Sequence, residues 1–221
     1  MRFTVIDAEQ RSEAWYQARL GCLCASDAGK MLATIKSGEA AARRDLRIRL
    51  VCERLTNRPV EDSYTNADME RGNLLEPQAR TAYEFATGVS VAQTGFLRST
   101  EHMAGASPDG VIGDFHGLVE LKAPRSARHL MYLRDGGVPA EHRPQLLHQL
   151  WISGAAFVDF VSFDPLMPER LQLFVVRLAR DEQEIAEYER KALAFLAEVE
   201  REVDAVKTMS GIGAVLREAV A

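Results

Sequence analysis

Apolar residues recur every three or four positions along several stretches of the chain, which is the spacing of one helical face. The strongest repeat covers 181–207, where one continuous apolar stripe contains Ile185, Tyr188, Ala192, Phe195, Val199, Val203 and Val206. This stripe predicts a long C-terminal helix that packs on the rest of the domain or on another subunit. Shorter helices are predicted over 12–20, 26–34, 40–56, 67–87, 125–135 and 139–153.

Short apolar runs bounded by turn-forming residues predict strands between these helices. The predicted strands cover 89–98, 111–112, 118–121, 157–163 and 171–178. The turn formers at 113–117 predict that the second and third strands form a hairpin. A mixed sheet of about five strands with flanking helices is typical of an α/β or α+β domain. We predict one domain over 1–210 and a loosely held tail over 211–221.

Three polar side chains are expected to converge on the predicted hairpin. Residues two apart in a strand face the same side, so Glu120 and Lys122 point the same way. Hairpin pairing can bring Asp109 opposite Glu120. Two close carboxylates raise each other's pKa unless a cation lies between them, and a divalent ion such as Mg²⁺ suits such oxygen ligands. A lysine beside that ion can orient a water for attack on a phosphodiester.

The same residues have a simpler interpretation. Asp109 can lie in a Pro-Asp-Gly turn, with Glu120 and Lys122 as a surface pair on a half-exposed strand. The spacing is loose and these residue types are common, so the motif alone leaves both interpretations open. Glu76 is equally open, because it lies among apolar residues of a predicted helix and can face an inner partner or the solvent.

The start of the helix predicted after Ser26 is a natural phosphate site. Ser26 is a good N-cap, and a helix N-terminus presents free backbone N–H groups and the positive end of its dipole. Arg19 is close in sequence and can contribute a bidentate grip on a phosphate. Simple capping is the alternative role for Ser26.

The bulk properties exclude few functions. The chain has 221 residues, of which 47% are hydrophobic and 27% charged, as in an ordinary globular protein. The net charge of −5 does not point to nucleic acid, but bound cations reverse the local sign at an acidic site. Arginines cluster at 43–49, where they form either a solvated helix face or a DNA contact.

The cysteines and the lack of long apolar segments bear on the compartment. Cys22, Cys24 and Cys52 are an odd set, which predicts reduced thiols in a cytosol and argues against a closed four-ligand metal site. The N-terminal residues lack a basic segment followed by an apolar run, and no apolar stretch is long enough to cross a bilayer. We therefore predict a cytoplasmic protein that does not enter a membrane.

Four short segments carry a resemblance to a known family. They are Trp15-Tyr16-Gln17-Ala18-Arg19-Leu20-Gly21 with Ala25-Ser26, Arg71-Gly72-Asn73-Leu74-Leu75-Glu76 with Ala79-Arg80, Ala106-Ser107-Pro108-Asp109-Gly110, and Gly117-Leu118-Val119-Glu120-Leu121-Lys122-Ala123-Pro124. In this order the chain resembles the phage-lambda-type exonucleases, also called the YqaJ-like viral recombinase family. The resemblance implies a PD-(D/E)xK nuclease with a restriction-endonuclease-like core.

The resemblance implies a catalytic or metal-binding role for five matching positions. Asp109, Glu120 and the main-chain carbonyl of Leu121 would be metal ligands. Lys122 would be the catalytic lysine next to the attacking water, and Glu76 would be an additional acid near the metal.

It also implies contacts to DNA. Arg19, Ser26 and Ser107 match a pocket that grips a terminal 5′-phosphate, and Arg128 matches a basic residue near the DNA end. The family has a glutamine-x-glutamine pair in the helix after the lysine. Here Gln145 matches the first glutamine, whereas the second position holds Leu147, so that Gln149 and His148 are the candidates to replace it.

The activity implied is a Mg²⁺-dependent exonuclease, with Mn²⁺ as a substitute, that degrades linear duplex DNA 5′→3′ from 5′-phosphorylated ends to mononucleotides. The resemblance also implies a homotrimeric ring, a single-strand-annealing partner and a phage or prophage origin in a bacterial cytoplasm. The alternatives are an endonuclease of the same fold, a non-catalytic DNA-end-binding protein and a small-molecule phosphoesterase.

Overall fold

The computed structural model describes residues 2–60 and 67–209, so the predicted tail at 211–221 lies outside the described residues. The helices in these ranges are α1 Glu13–Arg19, α2 Ala28–Met31, α3 Ala41–Thr56, α4 Ala67–Thr87, α5 Ser126–Asp135, α6 Arg143–Ser153 and α7 Glu182–Lys207. The strands are β1 Phe3–Ile6, β2 Leu23–Cys24, β3 Phe96–Ser99, β4 Ala104–Ala106, β5 Gly110–Ile112, β6 Gly117–Lys122, β7 Phe157–Phe163 and β8 Leu173–Ala179.

The predicted mixed α/β class is confirmed, but the strands are arranged differently from a single sheet of about five. Within the described ranges they form two four-stranded sheets, in the orders β1-β3-β4-β2 and β5-β6-β7-β8. Strands β1, β2 and β4 were not predicted, because strands of two to four residues are too short to show a period. The strand predicted over 89–98 is confined to β3 and an isolated bridge between Ala92 and Val111.

The predicted hairpin is formed by β5 and β6, and β6 is central to its sheet. It pairs antiparallel with β5 and parallel with β7. Five of its six residues and all seven of β7 are buried, as expected for strands covered on both faces. A Cβ on Gly117 would lie 2.3 Å from the ring of Phe157, so any larger residue at the start of β6 would have to displace that ring.

Helix α7 packs against α3 and α6, which decides the role of its apolar stripe. All the predicted stripe residues except Val206, which is 37% exposed, are buried within this chain. Arg43 and Arg47 of α3 pair with Glu198 and Glu202 of α7. These ion pairs favour the helix-face interpretation of the arginine cluster over a DNA contact.

The prediction that Ser26 is an N-cap is wrong. The backbone N–H of Cys24 donates to Asp27 Oδ2 at 3.4 Å, and this bond starts a 3-10 turn at Ala25. Ser26 is therefore the middle residue of the turn, and the helix that follows ends at Met31 instead of near 34. Among the described helices, none combines the length and the apolar character needed to span a membrane.

Candidate active site

One cleft of about 820 Å³ is lined by the ten residues to which the family resemblance gave a role, but not by Gln149 or His148, the two candidates to replace the missing glutamine. These residues are Arg19, Ser26, Glu76, Ser107, Asp109, Glu120, Leu121, Lys122, Arg128 and Gln145. They come from elements that are distant in sequence, and the two sheets with α1, α4, α5 and α6 bring them to one face of the molecule.

The hairpin register places the two predicted acids side by side. Gly110 is paired with Val119, so the next pair along the ladder is Asp109 and Glu120. Asp109 Oδ2 accepts a hydrogen bond of 2.7 Å from the backbone N–H of Leu121. Glu120 is only 1% exposed, which excludes the alternative of a surface pair.

Both oxygens of Glu120 are engaged by neighbouring side chains. Lys122 Nζ and Gln145 Nε2 donate to Oε1, the latter at 2.6 Å, and Gln149 Nε2 donates to Oε2. Residues four apart on a helix lie on the same face, which is why both glutamines of α6 reach one carboxylate. Gln149 therefore reaches the site from a position that differs from the second glutamine of the resembling family, and Leu147 is buried in the core.

His148, the other candidate to replace that glutamine, points away from the cleft. Its Nε2 lies 3.1 Å from the carbonyl of Gly105 and its Nδ1 lies 2.7 Å from the hydroxyl of Tyr188. Since a carbonyl only accepts, Nε2 carries the proton and Nδ1 accepts from Tyr188. His148 is thus a neutral core residue that fixes α6 against β4 and α7.

His148 gives a testable pH dependence of stability. Burial lowers the pKa of His148 to about 3, whereas a histidine in an unfolded chain titrates near 6.5. Because the unfolded chain then binds a proton that the folded chain does not, the free energy of unfolding should fall as the pH drops from about 6.5 to about 3, by about 4 kcal/mol. The substitution His148→Gln removes this titration. Urea unfolding at a series of pH values should show the advantage of the wild type shrinking over that range, and a constant difference would contradict the assignment.

The electrostatics of the acid pair call for a positive charge. Burial and the charge of Glu120 raise the pKa of Asp109 well above its ordinary value, although the charge of Lys122 opposes them. Burial lowers the pKa of Lys122, but the charges of Glu120 and Asp109 outweigh it and the net shift is upward. Lys122 is therefore protonated beside the buried carboxylate of Glu120 and the partly buried carboxylate of Asp109, which repel each other.

The residues present fit a divalent cation in their chemistry. The repulsion between two facing carboxylates is relieved when their oxygens bind a hard divalent cation. In residues 2–60 and 67–209, no three His, Cys, Asp or Glu side chains lie close enough together to form a complete metal site. Water and substrate phosphate would have to supply the other ligands, as is usual for Mg²⁺.

Glu76 faces inward, which settles the question that its sequence context left open. Its side chain is 16% exposed and accepts hydrogen bonds from Arg80 at 3.0 Å and from Arg11 at 2.8 Å. Arg80 also donates to the backbone carbonyl of Asp109 at 2.9 Å. Helix α4 is thereby tied to the loop that carries the first acid.

The three predicted phosphate ligands are connected through a residue that the sequence analysis had not assigned to the site. Arg19 Nη2 lies 3.3 Å from Ser26 Oγ, and its guanidinium stacks 3.8 Å from the ring of Trp15. The indole N–H of Trp15 donates to Ser107 Oγ at 2.9 Å. We call Arg19, Ser26 and Ser107 the arginine–serine cradle. An aromatic residue four positions before an arginine on a helix is the signal that could have identified Trp15.

The same cleft carries a second polar cluster around Arg128, and the partners of Arg128 in this cluster were not predicted from the sequence. Arg128 pairs with Glu141 at 3.1 Å, and both side chains are about half exposed. The Tyr132 hydroxyl donates to Glu141 at 2.9 Å and lies 3.0 Å from His142 Nε2. Burial and the nearby Lys122 charge lower the pKa of His142 to about 4, so this imidazole is neutral at physiological pH.

The comparisons with known proteins agree with this geometry. Residues 14–156 match the model of the YqaJ-like viral recombinase domain. The chain is 38% identical to an alkaline exonuclease, LHK-Exo, from Laribacter hongkongensis, with a TM-score of 0.80, and the match covers 89% of this chain and 96% of that chain. A structure of LHK-Exo in complex with dAMP matches to the same extent.

A phage-related exonuclease from Haemophilus somnus 129PT shares the fold, with a TM-score of 0.62 at 14% identity over 84% of this chain and 96% of that one. No curated protein sequence matches the chain.

Proposed function

Since this chain belongs to the YqaJ-like viral recombinase family, we propose that it is a DNA exonuclease that degrades linear duplex 5′→3′ to mononucleotides with Mg²⁺, or Mn²⁺ in its place. The observation that carries the proposal is the cleft in which Asp109, Glu120 and Lys122 meet. The relative LHK-Exo is described as an alkaline exonuclease, and the dAMP in one of its structures is a mononucleotide.

The side chains have distinct tasks in this proposal. Asp109, Glu120 and the Leu121 carbonyl would hold the cation, and a cation bound there would lower the pKa of a water and neutralise charge on the phosphate. Lys122 keeps its ammonium next to the acids and places positive charge where the transition state gains negative charge. Gln145 and Gln149 fix the orientation of Glu120, and Glu76 holds Arg80 against the loop of Asp109.

The arginine–serine cradle gives the proposed polarity its physical reason. The cradle lines the same cleft as the acids, and only Pro108 separates Ser107 from Asp109. A terminal 5′-phosphate held by the cradle would place a bond of the same strand over the acids. After each cut, the new 5′-phosphate could occupy the same cradle.

Replacing Arg19 by alanine is expected to abolish the preference for a 5′-phosphate. The wild type should degrade a 5′-phosphorylated duplex roughly tenfold faster than an unphosphorylated one, because a bidentate guanidinium–phosphate contact is a strong hydrogen-bonded pair. Arg19→Ala should degrade both at the slower rate. Single-turnover digestion of end-labelled duplexes measures this ratio, with Arg44→Ala, an exposed arginine outside the cleft, as the matched control. A retained preference in Arg19→Ala would rule out the cradle.

One digestion experiment separates the alternative functions. End-labelled linear duplex, with and without a 5′-phosphate, is incubated beside a closed circle, in Mg²⁺ and in EDTA. Loss of the linear duplex as mononucleotides, with the circle intact, supports the proposal. A cut circle indicates an endonuclease of the same fold, and binding without cleavage indicates a DNA-end-binding protein. A protein that ignores DNA but hydrolyses small phosphate esters is a phosphoesterase.

The proposal extends to the assembly and its setting. A homotrimeric ring would retain DNA by enclosure, which matters for a chain whose net charge is −5. Its molar mass in solution should be three times the 24.6 kDa of the chain, measured by light scattering. The 3′ strand left by digestion would be taken up by a single-strand-annealing protein, in the cytoplasm of a bacterium that carries the phage or prophage.

A further inference from the structure

Arg11 lies in the cleft next to the acids, and nothing in the roles assigned above involves it. Its Nη2 donates to Glu76 Oε2 at 2.8 Å, and its side chain is 45% exposed. The same carboxylate is already paired through Oε1 with Arg80, which is 14% exposed. Glu76 therefore carries one negative charge against two guanidinium groups. Of the two, Arg11 is the one that a ligand in the cleft can reach.

The backbone of Arg11 has a strained conformation. Its φ is 73°, which is in the left-handed region that residues other than glycine rarely adopt. The segment is fixed on both sides of Arg11. Gln10 Nε2 donates to the carbonyls of Pro108 at 3.0 Å and Thr94 at 3.4 Å, and the Ser12 hydroxyl caps α1. Strained residues that their surroundings hold in place cluster at ligand-binding sites.

Arg11 and its neighbour Gln10 contact residues next to both the arginine–serine cradle and the acids. Gln10 anchors the segment to Pro108, the residue between Ser107 of the cradle and the metal-binding candidate Asp109. Arg11 is bonded to Glu76, which shares Arg80 with the carbonyl of Asp109. A guanidinium that lines the same cleft as the terminal-phosphate cradle and the acids is placed to bind the phosphate of an adjoining nucleotide.

We propose that Arg11 binds a backbone phosphate of DNA in the cleft, exchanging its bond to Glu76 for one to the phosphate. This inference rests on the proposed function only in taking DNA as the ligand. Arg80 remains on Glu76 when Arg11 leaves, so the carboxylate stays paired. Arg11 is then the DNA contact, and the more buried Arg80 is the structural contact of Glu76.

The test is DNA binding without cleavage, measured by fluorescence anisotropy of a short 5′-phosphorylated duplex in EDTA across a salt series. Each phosphate contact contributes about one to the slope of log affinity against log salt. Arg11→Gly should bind roughly fivefold to tenfold more weakly than the wild type at low salt, with a slope lower by about one. Glycine accepts the positive φ without strain, so the melting temperature should not fall.

Two further variants and one control make the result decisive. Arg11→Gln also removes the charge and should reproduce the lower slope, which covers the case that Arg11→Gly folds poorly. Arg11→Lys keeps the charge and should restore the slope while binding less tightly than arginine. Arg44→Ala, which changes an exposed arginine on α3, should match the wild type.

The outcomes separate this inference from the function on which it rests. A wild-type slope and affinity in Arg11→Gly and Arg11→Gln would overturn the role of Arg11 and leave the nuclease proposal intact. A lower melting temperature in all three variants with unchanged DNA binding would assign Arg11 to structure alone. A wild-type protein that neither binds duplex in EDTA nor degrades it in Mg²⁺ would overturn both proposals.

Discussion

Replacing Lys122 by alanine is expected to lower the rate of linear-duplex cleavage by roughly 10²–10⁴-fold, the range of a positioned catalytic side chain. DNA affinity should stay close to that of the wild type, because the ammonium lies beside Glu120 and Asp109, the proposed metal ligands. Glu120 keeps the hydrogen bonds from Gln145 and Gln149 in this variant, so the strand should remain folded.

The measurement is single-turnover cleavage in Mg²⁺ beside DNA binding in EDTA, with circular dichroism as a check of folding. Lys191→Ala provides the matched control, since Lys191 is an exposed lysine on α7 that pairs with Glu187. If Lys122→Ala degrades linear duplex at the wild-type rate, the proposed site is not the catalytic centre. If the variant loses binding and cleavage together, Lys122 acts in substrate affinity and not in the chemical step.

Replacing Asp109 by asparagine is expected to remove cleavage by at least roughly 10³-fold and at the same time to raise thermal stability. The amide oxygen can still accept from the Leu121 N–H, so the local structure is kept. The charge is lost, and with it the repulsion from Glu120 that raises the pKa of Asp109. Removing one of two neighbouring like charges stabilises the folded state, whereas a neutral ligand binds a hard cation weakly. A gain in stability with a loss of activity is the usual trade at a functional site.

Two measurements other than activity test the effect of Asp109→Asn. Calorimetric titration with Mn²⁺ should show binding to the wild type and a much weaker affinity in Asp109→Asn. The melting temperature without metal should be higher in the variant. Asp114→Asn, an exposed aspartate in the turn of the same hairpin, should match the wild type in both. Equal Mn²⁺ affinity in Asp109→Asn and the wild type would remove Asp109 from the set of metal ligands.

The local periodicities determined the elements that carry the proposed site. The pattern around 111–121 predicted the hairpin, and the two-residue period of a strand put Glu120 and Lys122 on one side. The helices over 40–56 and 67–87 were predicted to within a residue of α3 and α4. The short strands escaped prediction because two to four residues show no period, and the partners of β1 and β2 are also distant in sequence. For example, β1 pairs with β3 across more than 90 positions, Phe3 lying opposite Ser99.

The contacts between helices and strands could not be predicted from the spacing of apolar and polar residues. Trp15 and Ser107 are 92 positions apart, and Arg11 and Glu76 are 65 apart. Gln149 was named in the sequence only as one of two substitutes, and the packing of α6 on the second sheet selected it over His148. The elements that pack around a helix determine which of its faces points to the site.

By itself, the sequence determined the mixed α/β class, the hairpin, the amphipathic C-terminal helix and the four segments that indicate the family, because each depends on residues close together in the chain. Only the tertiary structure decided that Glu120 is buried, that Ser26 lies within a tight turn, and that a surplus arginine faces the acids. These properties depend on which surfaces pack together and exclude water, and on hydrogen bonds between elements that are distant in sequence. A local pattern of apolar and polar residues contains no information about either.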